Sequence, residues 1–171
     1  IGFFTNNLLN PYGRKICYDG YIYEGAFTNG FLNGECVIIN IEKKYYFTGK
    51  VDFGVKNGEG FEKINGEIYK GNFKKNKRDG KGILKDENTL YEGEFNQGEI
   101  SGFGKFKWKN EESYEGELMN SVFHGKGKYY WKDGSEYIGS FENGKKNGIG
   151  TLIFANGKKY KGEFFNDVPH G

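Results

Sequence analysis

Residues 91–106 read YEGEFNQGEISGFGKF. Four glycines, four aromatics and three glutamates crowd into sixteen positions, with no apolar run long enough to form a core. Side chains alternate faces along a strand. In Tyr91-Glu-Gly93-Glu-Phe95, the rings and Gly93 therefore share one face and the glutamates take the other. The ringed face reads aromatic, hole, aromatic. A strand glycine leaves room for a ring from the neighbouring strand to lie on bare backbone. Gly and aromatics together then let one twisted sheet bury apolar area without a second layer.

The motif recurs through the chain as Tyr23-Glu-Gly25, Phe47-Thr-Gly49, Tyr69-Lys-Gly71, Tyr91-Glu-Gly93, Tyr114-Glu-Gly116, Tyr137-Ile-Gly139 and Tyr160-Lys-Gly162. The steps are 24, 22, 22, 23, 23 and 23 residues. Two residues after each glycine stands an apolar side chain: Phe27, Val51, Phe73, Phe95, Leu118, Phe141 or Phe164. Eleven after each lead aromatic comes another glycine, from Gly34 to Gly171. A second glycine follows it at Gly60, Gly82, Gly104, Gly127 and Gly150, with Cys36 in that place in the first full repeat. Ile1-Gly2, Phe4 and Gly13 fit the same register. Fixed periods of this length are the signature of repeat architectures.

Composition agrees. The 171 residues are 36% hydrophobic and 18% aromatic, with 29 Gly, 13 Tyr and 16 Phe. Disordered chains are poor in aromatics. Each helical Gly costs about 1 kcal/mol relative to Ala, so this many glycines oppose helices. Asn/Asp-Gly pairs at Asp19-Gly20, Asn65-Gly66, Asp133-Gly134 and Asn156-Gly157 mark turns, with Glu87-Asn88 and Lys109-Asn110 in the middle repeats. After each G-x-G pair a second strand is expected, with Phe106/Trp108, Tyr129/Trp131 and Leu152/Phe154 sharing faces. The expected fold is all-β: a single-layer antiparallel meander of about fifteen strands at ~4.8 Å spacing, a twisted rod roughly 70–75 Å long. Its ends are open sheet edges, which invite pairing.

Little in the chain suggests catalysis. No G-x-G-x-x-G, Walker A, H-E-x-x-H or C-x-x-C is present. The G-x-G pairs recur at fixed phase with no helix after them, so they read as structural. Glu24, Glu92, Glu94, Glu115 and Glu117 fall on the polar face and read as solvated. Cys17 and Cys36 are the only cysteines, consistent with a reduced compartment. No stretch nears the ~18 apolar residues of a spanning helix. His124 and His170 occupy the same repeat position, two repeats apart. Asp167 and His170 become metal candidates only if a symmetric dimer doubles them around Zn²⁺. Lysines cluster on loops, foremost Lys74, Lys75, Lys77 and Arg78, where anionic headgroups are attracted at about 1 kcal/mol per residue. The formal charge of +2 is too small to indicate nucleic acid.

The pattern Y-x-G-x-F/L followed by G-x-G resembles the MORN repeat (membrane occupation and recognition nexus). "YEGEFNQGEISGFGKF" and "YEGELMNSVFHGKGKYYWKDG" match its motif closely, the second with the common His-Gly-x-Gly at His124–Gly127. The departures are Phe47, Val51 and Cys36 in the first half. On this resemblance the chain is one MORN array over 1–171, with units starting near 1, 23, 47, 69, 91, 114, 137 and 160, and a fragment of a longer repeat protein. The resemblance implies a non-catalytic module with no cofactor, a scaffold that self-associates into an extended homodimer. The expected contact residues are Tyr114, Leu118, Tyr129, Trp131, Tyr137, Phe141, Phe154, Tyr160 and Phe164. Asn- and Lys-rich loops such as "KKNKRDGK" suit an AT-rich genome of the apicomplexan kind. By analogy alone, the chain is then similar to cytoplasmic cytoskeletal scaffolds of the inner membrane complex and basal ring, which function in parasite budding and cell division. The alternatives are a phosphoinositide or anionic-lipid module and a targeting domain of an enzyme outside this segment.

Overall fold

A computed structural model describes residues 2–5 and 8–170, and they form antiparallel strands and turns with no helix. The chain divides into two compact units, 1–86 and 87–171. Unit 1 holds β1 (Gly2–Thr5), β2 (Leu8–Ile16), β3 (Tyr21–Thr28), β4 (Phe31–Asn40), β5 (Tyr45–Asp52), β6 (Val55–Ile64), β7 (Glu67–Lys74) and β8 (Lys77–Lys85). Unit 2 holds β9 (Thr89–Asn96), β10 (Glu99–Trp108), β11 (Ser113–Met119), β12 (Val122–Tyr130), β13 (Glu136–Glu142), β14 (Lys145–Ile153), β15 (Lys159–Phe165) and β16 (Val168–Pro169). Within each unit every strand pairs with the next one in sequence, the meander expected from the repeat.

The register explains the glycines. In unit 2, Gly93, Gly104, Gly116, Gly127, Gly139, Gly150 and Gly162 pair one to the next, a glycine row crossing the sheet. In unit 1 the row runs Gly2, Gly13, Gly25, Cys36, Gly49, Gly60, Gly71, Gly82. The lead tyrosine lies over this row. A Cβ on Gly71 would stand 2.5 Å from the Tyr69 hydroxyl oxygen, and one on Gly82 would stand 2.6 Å from its Cε2. One ring thus covers the glycine two residues ahead on its own strand as well as that glycine's partner. The expectation of a ring arriving only from the neighbouring strand is corrected to this extent.

Each ring is then fixed at its polar end. The Tyr69, Tyr91, Tyr114, Tyr137 and Tyr160 hydroxyls donate to the carbonyls of Asn72, Glu94, Glu117, Ser140 and Glu163 at 2.7–3.0 Å. Such a bond contributes about 1 kcal/mol net and orients the ring. The apolar residue of the motif completes the core. Phe73 meets Tyr69 edge-on at 5.1 Å, and Phe141 meets both Tyr114 (5.4 Å) and Tyr137 (5.1 Å). Phe164 continues the herringbone against Tyr137 (5.0 Å) and Tyr160 (5.2 Å). Edge-to-face pairs add about 0.5–1.5 kcal/mol each beyond burial. The core of each unit is this one-layer spine, in which Tyr69, Tyr91 and Tyr137 have no exposure at all.

The G-x-G pair lies inside the second strand rather than before it. β10 begins at Glu99, three residues ahead of Gly102. Between the pairs Gly93↔Gly104 and Phe95↔Ile100 the ladder slips, leaving extra residues on β10. Gly102 sits in this bulge at φ +76°, a left-handed conformation that favours Gly. The first glycine therefore serves a bulge and the second a ring. The inner hairpin turns carry two consecutive positive φ values, as at Lys75 (50°) and Asn76 (68°), the type I′ geometry that matches strand twist.

Cys36 interrupts the pattern. Its Cβ stands 2.9 Å from where a Cβ on Gly25 would be, so the thiol side chain holds the place that a tyrosine ring holds elsewhere. Tyr23 is accordingly only half-buried. Burial and Glu35 push the Cys36 thiol up to about 11.

Candidate protein-binding face

The face that carries the buried tyrosines also carries, beside them, the second-strand side chains of each repeat. In unit 2, Phe106 stands opposite Tyr91 and Tyr114, and Tyr129 stands opposite Tyr114 and Tyr137. Two residues beyond each lies a tryptophan, Trp108 or Trp131. Strand alternation puts Phe106 with Trp108, and Tyr129 with Trp131, on this one face. Their rings form a ladder. Phe106 and Trp108 are parallel at 5.3 Å, Trp108 and Tyr129 stack at 5.7 Å, and Tyr129 and Trp131 tilt at 4.8 Å. Phe123 lies flat on Tyr114 at 3.9 Å and bridges the ladder to the core. The Trp108, Tyr129 and Trp131 rings remain half-exposed.

One carboxylate faces these rings. Glu112, half-buried in the β10–β11 turn, accepts a hydrogen bond from the Tyr129 hydroxyl at 2.7 Å. Burial and this carboxylate push the Tyr129 phenol well above its ordinary range. Asn88, Trp108, Lys109, Asn110, Glu112 and Tyr129 line an open recess of about 620 Å³ here.

Unit 1 presents the same face with different chemistry. Glu62, opposite Phe47 and Tyr69, is only 5% exposed. It pairs with the Lys56 ammonium, which also donates to the Tyr45 hydroxyl at 3.2 Å. Tyr45 in turn donates to Glu62 at 3.3 Å, and Arg78 stands 3.8 Å from the second carboxylate oxygen. The Lys56 ammonium lies 5.0, 5.2 and 5.5 Å from the Phe73, Phe47 and Tyr45 ring centroids. Lys146 repeats the motif in unit 2, 5.0 Å from Trp131. The same hairpin position, opposite the motif's apolar residue, is filled by Lys56, Arg78, Ile100, Phe123 and Lys146 in successive repeats. The opposite face of unit 2 carries the ion pairs Lys105–Glu115 and Lys128–Glu136 at 2.9 Å together with the exposed side chains of Phe103, Tyr130, Ile138 and Ile149.

The nine expected contact residues divide by burial. Tyr114, Leu118, Tyr137, Phe141 and Phe164 are 0–6% exposed, locked in the spine of their own unit, so the area they offer a partner is negligible. Tyr129, Trp131 and Tyr160 are half-buried and Phe154 is 43% exposed. Phe106, Trp108, Phe123 and Glu112 belong with them on this face and were absent from the sequence-based set. Alternation places Phe106 and Trp108 in plain view, whereas the Glu112–Tyr129 contact crosses seventeen residues and leaves no local signal. Among the expected headgroup residues, Lys74, Lys75 and Lys77 are exposed at the β7–β8 hairpin. Arg78 is not: it folds over the Tyr69 ring at 4.9 Å and pairs with Glu67, because its strand position points to the aromatic face. Asp167 accepts from the Lys146 backbone N–H at 2.9 Å, and His170 is exposed beside Phe165. Among the described residues no group of three or more His, Cys, Asp or Glu side chains is placed to hold a metal ion.

The model of the MORN repeat family matches residues 23–39, 69–88, 91–112, 114–136, 137–159 and 160–171, more than half of the chain. It skips the repeat led by Phe47, whose Phe47 and Val51 depart from the motif. No curated protein matches. Among solved structures, the fold is similar to that of the SAS-4 (dCPAP) TCP domain of Drosophila melanogaster, determined in complex with a proline-rich motif of Ana2 (dSTIL). The two are 13% identical with a TM-score of 0.50, over 90% of each chain. A likeness at this identity concerns the fold alone. The matched segments carry the tyrosine–glycine spine described above except in the Phe47 repeat, and the chain belongs to the MORN-repeat family.

Proposed function

We propose that the chain is a non-catalytic scaffold that binds protein through the aromatic ladder of unit 2. The observation that carries this reading is the ladder itself. Trp108, Tyr129 and Trp131 stay only half-buried beside Tyr91, Tyr114 and Tyr137, which the spine buries almost completely. Tyr and Trp supply large, rigid contact area and dominate protein interfaces. The complex of the TCP domain with a proline-rich motif supports reading such a sheet as a protein-binding platform. Proline-rich segments dock on aromatic-lined surfaces because their backbone is already ordered.

The same ladder serves self-association, so that two copies form a dimer that organises a membrane-associated cytoskeletal structure of the budding or dividing cell. Light scattering on the purified chain tests this. The expected mass is twice that of a single chain, returning to a single chain when Trp131 and Phe154 are both replaced by Ser. A single-chain mass at all concentrations for the unsubstituted protein refutes self-association.

A second reading rests on the three exposed lysines at the β7–β8 hairpin, an anionic-lipid contact. Co-sedimentation with phosphoinositide vesicles at physiological salt is expected to weaken when Lys74, Lys75 and Lys77 are replaced by Gln. No co-sedimentation, or no response to the substitutions, removes it.

A further inference from the structure

The two units each hold a tyrosine hydrogen-bonded to a glutamate on the aromatic face. In unit 1 the pair is Tyr45–Glu62, and the chain fills it from within: the Lys56 ammonium contacts both and lies over three rings. In unit 2 the pair is Tyr129–Glu112. The hairpin position that supplies Lys56 in its own repeat supplies Ile100 and Phe123 in the repeats flanking Glu112. Lys109 lines the recess but is exposed, and no lysine or arginine forms an ion pair with Glu112 among the described residues. A half-buried carboxylate, a phenol and an adjacent indole thus share an open recess in which, among the described residues, no cation pairs with the carboxylate as Lys56 does with Glu62 in unit 1.

We infer that Glu112, Tyr129 and Trp108 form a seat for a cationic side chain, a lysine or arginine, carried by the protein segment that docks on this face. The carboxylate supplies the counter-charge and the rings supply cation–π attraction. This rests on the reading of the unit 2 face as a protein-binding surface and adds what the bound segment must carry. The occupant is fixed by charge complementarity, since an acidic side chain here meets Glu112 at close range. A purely apolar one leaves a desolvated carboxylate unpaired.

The chain contains two tryptophans, both in the ladder, so its tryptophan fluorescence, excited selectively over tyrosine, reports on this face alone. The probes are two synthetic heptapeptides, each with three prolines on either side of a central residue, arginine in one and its neutral isostere citrulline in the other. The arginine peptide is expected to bind about tenfold more tightly, the gain typical of a charge-assisted hydrogen bond. Glu112→Gln is expected to bring the two peptides to equal affinity. Glu115→Gln, which removes the same charge from the opposite face, keeps the preference. Equal binding of both peptides to the unsubstituted protein, or a preference that survives Glu112→Gln or is lost equally in Glu115→Gln, overturns the cation seat and leaves the protein-binding reading standing. A fluorescence signal unmoved by either peptide overturns the seat and the docking of proline-rich segments together, while self-association is judged separately by mass.

Discussion

Gly82 lies under the Tyr69 ring, where an added Cβ would stand 2.6 Å from Cε2 and 2.7 Å from the hydroxyl oxygen. Its backbone φ is not in the left-handed region, so the constraint there is space alone. Gly82→Ala is expected to cost about 2–3 kcal/mol, the upper range for overpacking, seen as a lower midpoint in denaturant unfolding. Gly66 is the contrasting case: nothing lies within 4 Å of an added Cβ, but its φ is +95°. Gly66→Ala is expected to cost only about 1 kcal/mol, as backbone strain. The tyrosines make the chain sensitive to alkali. Burial pushes Tyr69 and Tyr91 up to about 12 from an ordinary 10.0. The folded state holds these protons more tightly than the unfolded chain does. Stability is therefore fully present below pH 10 and falls as pH rises from 10 to 12. Denaturant titrations at stepped pH check this, with a flat stability profile across that window as the contrary result.

At the scale of elements, the hairpin between β5 and β6 carries an unusual load. The side chains of Lys56 and Glu62 are 15% and 7% exposed and satisfied mainly by each other, Tyr45 and Arg78. Removing one partner of a buried pair leaves a stranded charge. Glu62→Gln is expected to destabilise the protein by about 3 kcal/mol, whereas Lys56→Met combined with Glu62→Leu costs far less. A thermal unfolding series that ranks the double substitution below the single one contradicts the pairing. Turns also join successive repeats. Asn76 accepts from the Lys56 backbone N–H at 2.7 Å, while its own N–H donates to the Lys56 carbonyl at 3.0 Å. Asp167 treats Lys146 in the same way, at 2.9 and 3.0 Å. Asn76→Ala is expected to cost about 1 kcal/mol, read as faster amide exchange at Lys56.

At the scale of the whole molecule, a period of about 23 residues, strand alternation and Asn/Asp-Gly turns were enough to specify an antiparallel meander of hairpins, because each of these is local chemistry repeated at fixed phase. Tyr91, Gly93 and Phe95 were legible as one face for the same reason. The sequence also pointed to Tyr129, Trp131, Tyr160 and Phe154 as face residues, and alternation put them there. It did not separate them from Tyr114, Leu118, Tyr137, Phe141 and Phe164, since burial depends on which ring a neighbouring repeat lays down. The double duty of G-x-G, one glycine in a bulge and the next beneath a ring, emerged only from strand register. So did Arg78 turning inward while its neighbouring lysines stay in water. Sequence alone determined the repeat, the strand order and the alternation, since these depend on contacts within a few residues. Tertiary structure alone decided which aromatics became core, that Lys56 met Glu62 among three rings, and that Glu112 met the Tyr129 hydroxyl rather than a lysine. Those outcomes depend on side chains brought together from different strands, and no local rule encodes that distance.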